Sequence, residues 1–190
     1  MTSNIFFTSD IHFGHKNIIR YSNRPFKSVT DMNEALIRNW NSVVPAHGIV
    51  YSLGDFAFCK IEEIESILHR LNGRIYMISG NHDEVITKNA RRILDTNKVV
   101  KIVPYWETRY DGQDICLFHY GCRVWNKSHR GSWLLFGHSH GSLPPYGKSV
   151  DVGVDSTYVT GQATYTPFSY EQISAFMAKR KIESEDYHGD

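Results

Sequence analysis

No apolar run in this 190-residue sequence approaches the ~20 residues that a membrane-spanning helix needs. Met1-Thr2-Ser3-Asn4 is not a charged n-region, and the apolar stretch after it is too short for a secretory signal. Cysteine is scarce. Cys59, Cys116 and Cys122 are odd in number and follow no CxxC spacing, so no disulfide framework is indicated. They read as free thiols in a reducing cytoplasm. An excess of charge is missing too: the formal net charge is +1. Bulk adhesion to nucleic acid or to a membrane is therefore not expected, and any basic surface must be local. Internal repeats and low-complexity segments are also absent. What remains is 41% apolar and 22% charged, the composition of a soluble globular chain. The length suits one domain over residues 1–182, with a core that needs no disulfide. Residues 183–190 form a polar tail expected to fray.

Short β-rich runs alternate with helix-period segments, which predicts an α/β or layered α+β domain. Strands are expected at Asn4–Thr8, Ile49–Leu53, Arg74–Ile78, Lys98–Val103, Asp114–Phe118, Trp133–Phe136 and Ser149–Val154. Asp111-Gly112 predicts a hairpin turn between Glu107–Tyr110 and the Asp114 strand. Helices are expected over Met32–Val43, with Asp31 and Glu34 as a capping box, and over Ile61–Leu71 and Glu84–Leu94. Ser169 and Gln172 predict a capped helix near the end of the chain. His15–Ser28, Gly121–Gly131 and Gly141–Lys148 lack periodicity. Irregular connections of that length are uncommon unless they serve function.

Ten histidines are many for this length, and several follow apolar strands directly. Phe6-Phe7-Thr8-Ser9 leads to Asp10-Ile11-His12, and Ile49–Leu53 leads to Gly54-Asp55. Ile75–Ile78 leads to Ser79-Gly80-Asn81-His82-Asp83, and Ile115–Phe118 leads to His119. Leu134-Leu135-Phe136 leads to Gly137-His138-Ser139-His140. Ligands bind beyond the carboxyl ends of strands in sheets wound by crossover helices. Carboxylate, imidazole and amide groups delivered to one edge therefore imply a metal centre. Mixed nitrogen and oxygen donors favour manganese, iron, zinc or nickel over magnesium or calcium. Asp10 and His12 are two apart, so an extended segment would point both the same way, and His138 and His140 would do likewise. Gly54, Gly80 and Gly137 suit the tight backbone needed before a ligand. Without a metal, the same residues would be polar strand caps bonded to one another. Cys122 follows soon after His119, and both a ligand role and a bystander role stay open for it.

At these residues the sequence resembles the calcineurin-like metallophosphoesterase superfamily. That family's signature is Asp-x-His, Gly-Asp, Gly-Asn-His-Asp/Glu, a lone His, then Gly-His-x-His, and no ligand position here departs from it. The resemblance spans roughly Phe6 to Val154. The runs Asp10–His15 and Asp151–Asp155 are similar to a compact bacterial and phage-type subgroup. It implies two mixed β-sheets packed as a sandwich and flanked by helices. It also implies two divalent metal ions, manganese first among those named. Asp10, His12 and His140 would hold one, Asn81, His119 and His138 the other, and Asp55 would bridge them.

Two metals ~3.5–4 Å apart can clamp the attacking and leaving oxygens at phosphorus, and a shared water becomes hydroxide near neutral pH. The resemblance gives His82 the role of acid toward the leaving oxygen, in a pH range where histidine titrates. Asp83 is expected either to hold the other ring nitrogen of His82 or to cap the helix after it. His15 and His129 are candidates to touch substrate phosphate, or are ordinary loop residues. Arg20 and Arg123 lie in irregular segments with Tyr21, Arg24, Phe26 and Trp125. Those segments are either solvated loops or walls that grip a nucleotide-type phosphodiester through arginine forks and ring stacking. A phosphomonoester substrate and a non-catalytic scaffold are the rival readings. Long nucleic acid is disfavoured, because near-zero net charge leaves no extended basic track. A β-lactamase-type metal site is excluded, since Gly141-Ser142-Leu143 follows His140 where that motif needs Asp and His. Sequence leaves the oligomeric state open.

Overall fold

The structure, a computed structural model, describes residues 4–183 and 185. Four parallel strands form most of the first sheet: β1 (Ile5–Thr8), β2 (Ile49–Leu53), β3 (Arg74–Ile78) and β4 (Val99–Val103), in the order β4-β3-β2-β1. The second sheet holds β5 (Tyr105–Tyr110), β6 (Gln113–Phe118), β7 (Trp133–Phe136) and β8 (Ser149–Asp151) in sequence order. Its β5–β6 pair is the antiparallel hairpin expected around Asp111-Gly112, while β6–β7 and β7–β8 are parallel. A two-residue strand, β9 (Phe168–Ser169), runs antiparallel to β1 at the edge of the first sheet. It is too short for a sequence pattern to mark it.

Alternation along each strand sorts side chains into layers, because successive residues point to opposite faces. Phe7, Tyr51, Leu53 and Ile78 face Ile115, Leu117, Trp133 and Leu135 across the two sheets, so the expected sandwich has its core there. Phe6, Val50, Ile75 and Met77 face the opposite way, against flanking helices. Cys116, Leu134 and Phe136 line the outer face of the second sheet under Trp125.

The helices are α1 (Ile18–Tyr21), α2 (Val29–Val43), α3 (Ile61–Arg70), α4 (Glu84–Lys88), α5 (Ala90–Asp95) and α6 (Tyr170–Ala178). Met32, Leu36, Ile64 and Leu68 put the apolar stripes of α2 and α3 on the first sheet. Three expectations are corrected. First, α2 begins one turn early, capped by Ser28, whose hydroxyl accepts the Asp31 N–H at 3.1 Å. Glu34 is drawn away from the expected box into a 2.6 Å pair with Arg70. Second, the single helix expected over Glu84–Leu94 breaks at Asn89, whose side-chain amide donates to the Val85 carbonyl at 2.8 Å. Such local bonds compete with helix propagation. Third, one-turn helices interrupt two segments expected to be irregular, at Ile18–Tyr21 and at Ser128–Arg130. The capping box of Ser169 and Gln172 forms as expected. Of the tail expected to fray, residues 184 and 186–190 lie outside the described residues, as do Met1–Ser3. Among the described residues, no helix is long and apolar enough to cross a membrane.

Candidate metal centre

Each candidate ligand stands just past the end of a strand. Asp10 and His12 follow β1, Asp55 follows β2, Asn81 follows β3, His119 follows β6, and His138 and His140 follow β7. Both sheets thus contribute to one rim, and a bridge between Ser9 and Gly153 ties them there. The backbone does not stay extended at this rim. Asp10, His12, Asp55, His138 and His140 all have left-handed φ, between 47° and 67°. Outside glycine that conformation is uncommon, and it persists only where surrounding contacts dictate it. Here the Asp10 N–H donates to the Gly54 carbonyl at 3.0 Å and the His12 N–H to the Asp55 carbonyl at 2.9 Å. The extended-segment argument for Asp10 and His12 is therefore corrected: they meet through two left-handed turns. His138 and His140, by contrast, do not point together and go to different clusters.

The glycines before the ligands permit this crowding. A Cβ on Gly54 would lie 2.3 Å from His119 Nδ1, and Gly54 also needs a φ of +98°. A Cβ on Gly80 would fall 2.3 Å from Asp55 Oδ1, and one on Gly137 would fall 1.9 Å from Ser9 Oγ.

Two clusters result. Donor atoms of Asp10, His12 and His140 lie within 4.8 Å of one another, as do those of Asp55, His119 and His138. Asp55 sits between them. Its Oδ2 is 3.6 Å from His12 Nε2 and 3.6 Å from His119 Nε2, while its Oδ1 accepts the His82 N–H at 2.9 Å. Asn81 joins the second cluster, with Oδ1 2.9 Å from His119 Nε2.

The imidazoles are set for ligation. His119 Nδ1 lies 2.8 Å from the Leu53 carbonyl, which can only accept, so a neutral ring turns its Nε2 lone pair toward Asn81 and Asp55. His140 Nδ1 is 2.7 Å from Asp155 Oδ2, and His12 Nδ1 is 3.2 Å from His15 Nδ1. In each case Nε2 is the atom left for the cluster, the usual way that ligating histidines are oriented. His12 Nε2 is buried without a hydrogen-bond partner. A buried polar atom in that state needs a partner, and a cation held by Asp10, His12, His140 and Asp55 would supply one. Burial holds His12 neutral, with its pKa pushed down to about 2. Burial, helped by the charges of Asp151 and Asp55, drives Asp10 well above the usual carboxylate range. A bound cation reverses that direction. The residues present therefore fit a pair of divalent ions.

Buried carboxylates brace the rim. Asp83 is corrected in both expected roles. Its carboxylate neither holds the His82 ring nor caps α4. It accepts the N–H groups of Asp55 at 2.9 Å, Phe56 at 2.9 Å and Gly80 at 2.8 Å, and so locks two ligand loops together. Asp151, fully buried, accepts Ser139 Oγ at 2.6 Å and the Gly141 N–H at 2.8 Å, holding the loop of His138 and His140. Arg24 forks onto Asp155 at 2.9 and 2.8 Å and donates to the carbonyls of Ile11 and Asp10. Burial works against charge on Asp155, but His140 and Arg24 outweigh it and hold its pKa below the usual value. Burial likewise opposes a proton on His140, yet the bond to Asp155 and the Asp10 charge raise its pKa.

A cavity of about 730 Å³ lies over the clusters, walled in part by His12, His15, Asp55, Phe58, His82 and His138. His15 reaches this cavity, while Arg20, Arg123 and His129 are not among its walls. The Arg20 guanidinium lies 5.2 Å from the Tyr21 ring centre. Arg123 pairs with Glu185 and stands 3.9 Å over the Tyr146 ring. His129 belongs to the short turn Ser128–Arg130. Arg24 likewise faces inward to Asp155. Of the first irregular segment, Ile18, Tyr21, Ser22 and Asn23 line the cavity, while Arg20 does not. Phe58, 52% exposed, stacks 4.6 Å from His15. Tyr120 lies edge-on 4.9 Å from His119 and 4.8 Å from His138. Sequence reading passed over Phe58 and Tyr120, although each follows a ligand motif within three residues. Asp155 was visible only as the end of the run Asp151–Asp155.

The model of the calcineurin-like phosphoesterase family matches residues 3–158. An uncharacterised protein of Methanocaldococcus jannaschii is 34% identical over 187 residues, covering 94% of this chain and 93% of its own. The gene 66 protein of mycobacteriophage L5 is 26% identical over 185 residues, covering 81% of this chain and 87% of its own. A solved protein of unknown function from Aquifex aeolicus superposes with a TM-score of 0.66 at 23% identity, over 90% of this chain and 97% of that one. That superposition shows a shared fold.

Proposed function

Because the chain belongs to the calcineurin-like phosphoesterase family, we propose that it is a two-metal hydrolase of small phosphodiesters. The observation that carries this reading is Asp55 Oδ2, placed 3.6 Å from the Nε2 atoms of both His12 and His119 and so between two donor clusters. Asp10, His12 and His140 would hold one ion, Asn81, His119 and His138 the second, and Asp55 both. When bound, such a pair lowers the pKa of water and supplies positive charge against the phosphoryl oxygens. Manganese is the first ion to test, and three free thiols suit work in a reducing cytoplasm.

The chain's own residues do the rest. His82 faces the cavity with its ring 5.7 Å from that of His12, and its backbone N–H donates to Asp55. It is the proton donor of the proposal. As water oxygen bonds to phosphorus, the ester P–O bond breaks with its electron pair on the leaving oxygen. The His82 proton closes that oxygen as an alcohol, and the proton shed by the water restores the imidazole through solvent. The products are a phosphomonoester and an alcohol. His15 acts as a positioning residue, since its Nδ1 partners His12 Nδ1. A small substrate fits a cavity of about 730 Å³, within the range typical of small-molecule sites.

The test is a panel assay of manganese-loaded protein on bis-p-nitrophenyl phosphate, p-nitrophenyl phosphate, and cyclic and linear nucleotides. Diesters should be turned over faster than monoesters. A clear monoester preference removes the diesterase reading, and inactivity on every substrate favours the scaffold.

A further inference from the structure

Behind His82 lies a second cavity, of about 610 Å³, that no step above uses. Phe58 and His82 belong to the walls of both cavities. They form a ridge, with His12, Asp55, His138 and His140 on one side and this second space, which Asn81 also lines, on the other. Its apolar walls are Ala57, Phe58, Cys59 and Val85, and Lys60, Glu63 and Glu84 supply polar groups. Burial pushes the Cys59 thiol up to about 11, so that wall carries no charge at neutral pH.

Phe58 is unusual for a large aromatic residue. It is 52% exposed, stacked on one side against His15 at 4.6 Å and edge-on to His82 at 5.6 Å. A ring held in place but half open to solvent is a platform for another planar group. Position beside His82 gives that platform a meaning. The oxygen that His82 protonates belongs to the departing alcohol, so that alcohol must extend past His82 as it leaves the clusters.

We propose that the second cavity is the leaving-group pocket and that it takes a nucleoside, whose base stacks on Phe58. The carboxylates of Glu63 and Glu84 accept base or sugar donors, and Lys60 donates to base oxygens. The proposal rests on the phosphodiesterase reading above. It also moves nucleotide recognition from Arg20 and Arg123 to the segment after Asp55.

The test uses one substrate with two ester bonds, the methyl ester of thymidine 5′-phosphate. Hydrolysis releases either thymidine plus methyl phosphate or methanol plus thymidine 5′-phosphate. Both leaving groups are simple alkoxides, so the product ratio reports which group occupies the leaving-group pocket, whatever the absolute rate. The manganese-loaded wild type should release thymidine in excess. Phe58→Ala should shift the ratio toward methanol by about 5- to 160-fold, the span expected for one base–aromatic stack. Phe58→Tyr should restore it. A wild-type ratio that favours methanol, or a ratio unmoved by Phe58→Ala, overturns the pocket. Bis-p-nitrophenyl phosphate is the control. If it is hydrolysed and the thymidine ester is not, the pocket fails alone; if neither is hydrolysed, the phosphodiesterase reading fails with it.

Discussion

The imidazoles of the Asp10, His12 and His140 cluster lean on side chains outside it, a support that His119 and His138 do not have among the described contacts. His140 leans on Asp155, which is forked by buried Arg24, and His12 leans on His15. In the second cluster His119 is equally buried and fixed by the Leu53 carbonyl, but His138 is exposed, as is Asn81. His138 has two aromatic neighbours, Tyr120 and His119, and no ring hydrogen bond among the described contacts. An ion in the braced half would meet ligands already held in place, because orienting partners lower the cost of ordering them. An ion in the open half would have to order part of its own shell. If two ions bind as proposed, the difference predicts one tight and one exchangeable site sharing Asp55.

The largest effect should come from a change that leaves both halves intact. His82→Ala is expected to keep two metals per chain while hydrolysis of esters with poor leaving groups falls by ~10²–10⁴. Metal analysis beside kinetics on alkyl and aryl diesters checks this. Loss of metal would make His82 a ligand, and equal losses for all leaving groups would remove its role as acid. Asp83 joins the halves from beneath, where it accepts three N–H groups. Asp83→Ala strands those donors, at ~1–3 kcal/mol for each one left buried, and should lower the denaturation midpoint of metal-free and metal-loaded protein alike. An unchanged midpoint would mean that water replaces the carboxylate at no cost.

Asp155→Ala tests the asymmetry itself. It should weaken the tighter of two calorimetrically resolved manganese sites by roughly 10–100-fold and leave the weaker one nearly as it was. An equal loss at both sites would make the bracing a property of the whole centre. The smallest effects belong to Arg20→Ala and Arg123→Ala, since exposed contacts contribute only ~0–1 kcal/mol and neither side chain reaches the cavity. KM for nucleotide substrates should stay within about twofold of wild type. A selective rise for nucleotides would return the loops to the substrate site.

Much of the rim was legible because it is local. A strand and the ligand after it are neighbours in sequence, so Leu53–Asp55 or Phe136–His138 shows where a side chain emerges. The hairpin at Asp111-Gly112 and the cap at Ser169 are local in the same sense. The bracing is not local. Arg24 and Asp155 are 131 residues apart, and nothing near Arg24 tells a buried fork from an exposed phosphate grip. Asp83 misled for the opposite reason. Its sequence neighbours, His82 and α4, suggested partners, while its actual donors come largely from the loop after β2. The left-handed turns at Asp10 and His12 also escaped, because tertiary hydrogen bonds impose them.

The central claim is a pair of ions sharing Asp55, and counting metal tests it most directly. Purified protein, stripped with chelator, reloaded with manganese and desalted, should carry two ions per chain by elemental analysis. Asp55→Asn, carried through the same procedure in folded form, should retain fewer than one. A wild type that holds a single ion, or an Asp55→Asn variant that still holds two, would contradict the shared centre.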